Sequence, residues 1–234
     1  MLALIWPLLE TAGMSSFAVN PVRIDLSESH LVSAVRVTNQ GPVDAVIQIE
    51  SVSWSQNHGE NIYTPTRELL VNPPIFNLPV GKSQIVRVGL IKALDSESEK
   101  AYRIFLQEVP NASDGEFTGL RVLLRIGVPV FFESPTASKP KLHWQVRIGK
   151  NPSQLRVIAS NEGSKHVRIS KLELFGSQHG SALVSRTLAD TLLAGQSHEW
   201  LIDLTHQVAI SPVEIRAETD SGRYHSGPIG LTLN

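Results

Sequence analysis

The sequence predicts an all-β protein built as two antiparallel β-sandwiches. Three observations carry that reading. From residue 19 onward, apolar and polar residues alternate in run after run, the period of a strand with one buried face. Turn-forming residues separate these runs at short intervals, with no amphipathic helix of convincing length between them. Finally, two prolines bracket a small, polar stretch, Glu133 to Pro140, that divides the chain into pieces of similar size.

Taken in order, the chain opens with Leu2–Leu9, an apolar run too short for a bilayer span, which needs about 20 residues. Small residues follow up to Ser16-Phe17-Ala18, so residues 1–18 are expected to be an export leader cut after Ala18. No Lys or Arg precedes the run, which leaves open a mis-assigned start or a tail without a targeting role. Leu31, Val35 and Val37 then alternate with polar neighbours. Between Ala45 and Ser53, Val46, Gln48, Glu50 and Val52 oppose Ala45, Ile47, Ile49 and Ser51. Further strand-like runs are Gln84–Leu90, Tyr102–Val109, Leu120–Phe132, Leu142–Ile148, Gln154–Ser160, His166–Phe175, Glu199–Leu204 and Val213–Thr219. Turns are predicted at Asn39-Gln40-Gly41-Pro42, Asn57-His58-Gly59, Asn72-Pro73-Pro74, Pro79-Val80-Gly81, Asp114-Gly115 and Asp220-Ser221-Gly222. The break at Glu133–Pro140 predicts domains at 19–137 and 138–234, each of immunoglobulin-like size. Val35-Arg36-Val37-Thr38-Asn39-Gln40-Gly41 and Val157-Ile158-Ala159-Ser160-Asn161-Glu162-Gly163 both read strand, Asn, any residue, Gly, a faint echo of one half in the other.

Composition removes several kinds of chemistry. The 234 residues are 41% hydrophobic with a net charge of −1, so the chain is neither disordered nor a nucleic-acid or anionic-membrane binder. With no Cys, thiolate zinc sites, iron–sulfur clusters, cysteine nucleophiles and disulfides are excluded. His30, His58, His143, His166, His179, His198, His206 and His225 are scattered, mostly beside turn residues, and read as solvent-facing loop residues. Neither HExxH nor GxSxG occurs. No catalytic residue, metal site or cofactor is therefore expected, and an enzyme is disfavoured.

The segment Leu120–Phe132 stands apart. Leu120, Val122, Leu124 and Ile126 point to one side, while Arg121, Leu123, Arg125 and Gly127 point to the other. The aliphatic set either lines the protein's own core or is offered to a partner. Leu123 puts a large aliphatic on the arginine side as well, and a long edge strand of this kind is an aggregation hazard unless it is paired.

Several stretches in order resemble the PapD-like periplasmic pilus chaperones of chaperone–usher systems. Val22-Arg23-Ile24-Asp25-Leu26 is similar to the family's first strand and Val35–Asn39 to its second. Asn72-Pro73-Pro74 through Leu78-Pro79-Val80-Gly81 to Gln84-Ile85-Val86-Arg87-Val88 resembles its PP…L-x-x-G…Q-x-V-R-V stretch, the most specific match. Tyr102–Pro110 resembles the strand ending in E-(I/V)-P, and Leu120–Phe132 the strand donated to the subunit. The Pro129-Val130-Phe131 form is similar to the archaic branch.

The resemblance implies two sandwiches in a boomerang and a periplasmic, exported, soluble chaperone. Its partners would be pilin subunits and an outer-membrane usher, with self-association of the free chain a further option. It implies donor residues Leu120, Val122, Leu124 and Ile126, of which Leu123 is the substitute if that row lines the core. It also implies a cationic anchor for the pilin's terminal carboxylate. Arg23 matches one anchor position; the second, a lysine in the family, falls on Pro129, leaving Arg103 or Arg125 as replacements. Glu99 and Asp220 match acidic positions of an interdomain ion cluster whose arginine falls near Glu133, with Arg223 or Lys100 as substitutes. The short connection between Pro110 and Leu120, lacking a Cys pair, resembles the short-loop members. A secreted or surface tandem adhesive module is the alternative.

Overall fold

The structure, a computed structural model, describes residues 15–57, 59–92, 96–110, 122–151, 153–176, 182–204 and 212–232, and these contain seventeen strands and no helix. In the first half, β1 (Phe17–Asn20), β3 (Val32–Asn39), β8 (Ser83–Leu90) and β6 (Leu69–Asn72) form one sheet in the order β1-β3-β8-β6. The facing sheet runs β2 (Ile24–Leu26), β10 (Arg125–Phe132), β9 (Lys100–Val109), β4 (Ala45–Asn57) and β5 (Glu60–Pro65), with β7 (Ile75–Leu78) also on β4. Two of the chain's changes of sheet, between β1 and β2 and between β6 and β7, fall at Pro21 and at Pro73-Pro74. Proline has no N–H for a ladder, so it ends one pairing and releases the chain to the other.

In the second half, β11 (Leu142–Ile148), β12 (Gln154–Asn161) and β15 (Ser197–Asp203) face β14 (Ala182–Leu192), β13 (Val167–Gly176), β16 (Val213–Thr219) and β17 (Gly222–Ile229). No sheet ladder between described residues crosses 133–141. That connection is tied down: Ser134 is buried and donates to the Ser96 carbonyl, and Glu133 N–H donates to Leu26 O.

Alternation fills both cores. Val35 and Val37, Ala45, Ile47 and Ile49, Val86 and Val88, Tyr102, Ile104 and Leu106, and Val128, Val130 and Phe132 form the first. Burial, followed by its 2.7 Å bond to Glu68, pushes the Tyr102 phenol far above its usual range. Trp144, Val146, Leu155, Val157, Ile169, Leu172, Leu174, Trp200 and Ile202 anchor the second. The step of three from Ile169 to Leu172 is not a strand period; a bulge between Ile169 and Lys171 takes up the extra residue.

The runs read from sequence are strands, their ends moved by one or a few residues, and Asp220-Ser221-Gly222 is the β16–β17 hairpin turn. Six strands escape the sequence reading: β1, β5, β6, β7, β14 and β17. Most are short, whereas β14 alternates only half-buried and exposed positions, without a fully buried row until Leu192. Two boundaries differ. Phe17 and Ala18, assigned to the leader, form the first half of β1 opposite Asn39 and Thr38, so a cut after Ala18 would remove half that strand. Leu120–Phe132 becomes a strand only from Arg125; Leu120 and Arg121 lie outside the described residues, as do residues 1–14.

The echo of strand, Asn and Gly has a physical basis. Asn39 is buried, its amide N–H groups donate to Val43 O (2.7 Å) and Leu78 O (2.9 Å), and its side-chain oxygen accepts from Gly41 N–H (2.9 Å). Its backbone pairs with Lys82 O and Gly81 N–H. Asn161 repeats this set with Lys165 O, Leu192 O, Gly163 N–H, Gln196 O and Gly195 N–H. The glycines Gly81 and Gly195 share left-handed φ values of 69° and 71°. Each asparagine thus fastens one turn to a distant one within its own sandwich. Asn39→Ala or Asn161→Ala leaves several buried groups without partners, each costing about 1–3 kcal/mol, so denaturant unfolding should show a loss of at least about 2 kcal/mol. Gly81→Ala and Gly195→Ala should cost less, about 1–2 kcal/mol for the left-handed backbone alone, because a Cβ meets nothing within 4 Å at either glycine.

Candidate functional site: a strand with an open edge beside an arginine-lined face

β10 pairs with β9 along its whole length, but with β2 only at Val130–Phe132. Along Arg125–Pro129 its outer edge has no strand partner among the described residues. Val128, Val130 and Phe132 are buried in the first core, and Ile126 packs against it. The same row then runs outward: Leu124 is half-buried and Val122 is 54% exposed. Leu123, of opposite phase, is 38% exposed. The aliphatic row therefore lines the protein's own core up to Ile126 and leaves it beyond Leu124. Of the four donor residues read from sequence, Ile126 is already occupied by its own core, Val122 and Leu124 are available, and Leu120 lies outside the described residues.

On the opposite face of this sheet the three candidate arginines sort by partner. Arg23 is engaged twice, through Nε to Asp25 (3.1 Å) and Nη1 to Asp220 (3.0 Å), the latter from the second sandwich. Arg125 binds Glu50 (3.1 Å) while its guanidinium carbon lies 3.8 Å from the Phe105 ring centroid. Arg103 stands on β9 between Val52 and Pro129 and pairs with no carboxylate among the described residues. Its guanidinium carbon is 4.3 Å from the Trp54 ring centroid and 5.3 Å from that of Tyr63, Nη1 donates to Tyr63 Oη (2.8 Å), and Nε is buried without a partner. Gly127 keeps this place open, because a Cβ there would come within 3.1 Å of Arg103 Cδ and of the Phe105 ring. A guanidinium held by aromatic faces, with donors left over, is suited to a carboxylate.

Glu99 and Asp220 meet at a common partner, the His166 ring, which the sequence did not single out. Glu99 Oε2 accepts from His166 N–H (2.9 Å) and Nδ1–H (2.6 Å), and His166 Nε2 lies 3.7 Å from Asp220 Oδ2. The ring stacks on Phe131 at 3.6 Å and 6°. Phe131 packs in turn with Trp54 and Leu193 in a small core joining the two sandwiches. Gln56 adds a clasp from the long β4–β5 hairpin, donating to Thr191 O (2.7 Å) and accepting from Leu193 N–H (2.9 Å). Of the suggested substitutes, Arg223 pairs instead with Glu218 at 3.6 Å. His166, read as a loop histidine, has its partner 67 residues away and carried no local signal. Phe131 was legible only as an apolar strand position, and Trp54 lies one residue past the run read at Ala45–Ser53.

Comparison with known proteins agrees with this architecture. Residues 16–138 match the family model for the pili and flagellar-assembly chaperone, PapD N-terminal domain. The chaperone–tip adhesion subunit pre-assembly complex CsuC–CsuE, from archaic chaperone–usher Csu pili of Acinetobacter baumannii, contains a chain similar over 94% of this one and 99% of its own, at TM-score 0.67 and 21% identity. The E. coli chaperone DraB is similar over 94% and 97%, at TM-score 0.60 and 17% identity. The Salmonella enterica SafA pilin–SafB chaperone complex gives 94% and 97%, at TM-score 0.59 and 15% identity. These likenesses speak for the fold. No curated protein sequence matches the chain. With two immunoglobulin-like sandwiches and a family match spanning the first of them, the chain belongs to the PapD-type pilus-assembly chaperones.

Proposed function

We propose that this protein is an exported, periplasmic chaperone that holds pilin subunits by strand donation and passes them to an outer-membrane usher, with residues 19–137 and 138–234 as its two domains. One observation carries the reading: an aliphatic row leaves its own core at Ile126 on a strand whose outer edge is unpaired among the described residues. A pilin groove lacking a strand would receive Val122 and Leu124, joined by Leu120, while main-chain bonds form along Arg125–Pro129. Three buried aliphatics contribute about 4.5–9 kcal/mol, against a cost of association of roughly 4–15 kcal/mol. Main-chain pairing along Arg125–Pro129 adds to that balance. The same open edge would let the free chain pair with a second copy of itself.

In this reading Arg103 anchors the pilin's terminal carboxylate, since Arg23 and Arg125 already hold acids of their own. Glu99 and Asp220, bridged by His166, set the angle between the domains.

Co-expression with the small secreted proteins encoded beside this gene, followed by co-purification, tests the function directly. Val122→Glu combined with Leu124→Glu should leave the chain folded and abolish pilin capture; capture by this variant would end the strand-donation reading. Arg103→Ala should weaken binding of a pilin with a free C-terminal carboxylate by about 10- to 100-fold, the value of a charged hydrogen bond, and leave an amidated C-terminus unaffected. Arg125→Ala should change either affinity by less than about fivefold. His166→Ala removes the ring donor to the buried Glu99 carboxylate and the stack on Phe131, so thermal unfolding should separate into two transitions. Residual dipolar couplings should then report different alignment for the two domains.

A further inference from the structure

A strand has two edges, and successive residues alternate in which edge their N–H and C=O groups serve. On β10 this alternation is fixed from both sides. Glu108 N–H donates to Leu124 O (2.9 Å), and the register Arg125↔Gln107 carries that phase along β9. The groups of Leu124, Ile126 and Val128 therefore turn toward β9. On the other side Glu133 N–H donates to Leu26 O (2.8 Å), so the odd-numbered residues turn outward. Leu123, Arg125, Gly127 and Pro129 thus hold the backbone groups that a strand laid outside β10 would meet.

Pro129 interrupts this row. It has no N–H, and its carbonyl is already used. In the parallel pair Val130↔Ile24, Ile24 is bracketed by the Pro129 carbonyl and the Phe131 N–H. A proline is tolerated within a strand where its nitrogen faces an edge without a ladder, which is its position here. Along Arg125–Pro129, then, Arg125 and Gly127 alone keep both a donor and an acceptor on the outer edge, which has no strand partner among the described residues.

We propose that Pro129 sets the register of a partner strand. An extended segment pairs with the outward groups of Arg125 and Gly127, continues along Leu123, and stops at Pro129, where the β2 ladder takes over. The partner must supply a backbone unpaired on one edge, long enough to run from Leu123 to Gly127. A residue with an N–H at 129 would offer one more donor and let the same segment pair two residues further along. That a pilin supplies the segment rests on the strand-donation reading; which amides of β10 face outward does not.

Amide hydrogen exchange of the full chain tests the phase first, with no partner present. Arg125 and Gly127 should exchange at least about tenfold faster than Ile126 and Val128, the worth of one hydrogen bond. Equal rates overturn the proposal. In the complex with the co-purified pilin, Arg125 and Gly127 should slow by at least about tenfold, and unchanged rates at both overturn the pairing. Pro129→Val then restores the missing donor. The amide at position 129 should exchange fast in the free chain and slowly in the complex. If it stays fast in the complex, or is already slow in the free chain, Pro129 is not the stop. Should that variant impair folding, Arg125→Pro compared with Arg125→Ala gives a second measurement, since both lose the guanidinium and only the first loses the outward N–H. Arg125→Pro should keep the fold, because β9 does not use that N–H, and should capture pilin about tenfold more weakly than Arg125→Ala. Loss of the fold or equal capture overturns the proposal. Wild-type capture by Val122→Glu/Leu124→Glu overturns strand donation itself and leaves the free-chain exchange result standing.

Discussion

The structure turns on β10, a single strand whose one aliphatic row is asked to do two things. Its C-terminal half, Val128, Val130 and Phe132, closes the first core, held by β9 throughout and by β2 from Val130 to Phe132. Its N-terminal half, in the same phase, emerges from that core with one edge unpaired among the described residues. Because side chains alternate with a period of two, nothing in the row itself marks where core ends and surface begins. That point is set by neighbours: β2 is only three residues long, so its cover over β10 stops at Val130. A longer β2 would bury the edge and remove the site.

The opposite phase of the same strand organises the rest. Gly127 leaves room for Phe105 and Arg103, Pro129 lies across from Arg103, and Phe131 reaches the junction between the sandwiches, where His166 stacks on it. The arginine-lined face and the domain junction are therefore consecutive stations on one strand. The junction is also more than an ion cluster. Exposed ion pairs such as Arg23–Asp25 contribute little, about 0–1 kcal/mol. The Trp54–Phe131–Leu193 contact and the Gln56 clasp are shielded from water and hold the relative placement of the two halves.

Much of the fold was legible because it follows from local rules. Alternation, prolines at sheet changes and glycine turns are properties of a few adjacent residues, and they marked most long strands and the break at Glu133–Pro140. The strands that escaped are short or, like β14, lack a buried row. The echo around Asn39 and Asn161 was visible as letters. Its meaning, two asparagines each fastening turns some 30 to 40 residues apart, was not. For the site, the composition of the aliphatic row and the three arginines could be read in advance, but not which of them pairs with an acid among the described residues.

What the sequence by itself determined is the period-two pattern, and with it an all-β chain in two sandwiches carrying one suspiciously aliphatic strand. Only the tertiary structure decided that Ile126 belongs to the core while Val122 does not, that Arg23 holds two acids while Arg103 pairs with none among the described residues, and that His166 bridges the acids at the junction. The reason is physical. Pattern depends on neighbours along the chain, whereas burial and charge pairing depend on groups brought together from far apart, as Arg23 is to Asp220 across 197 residues.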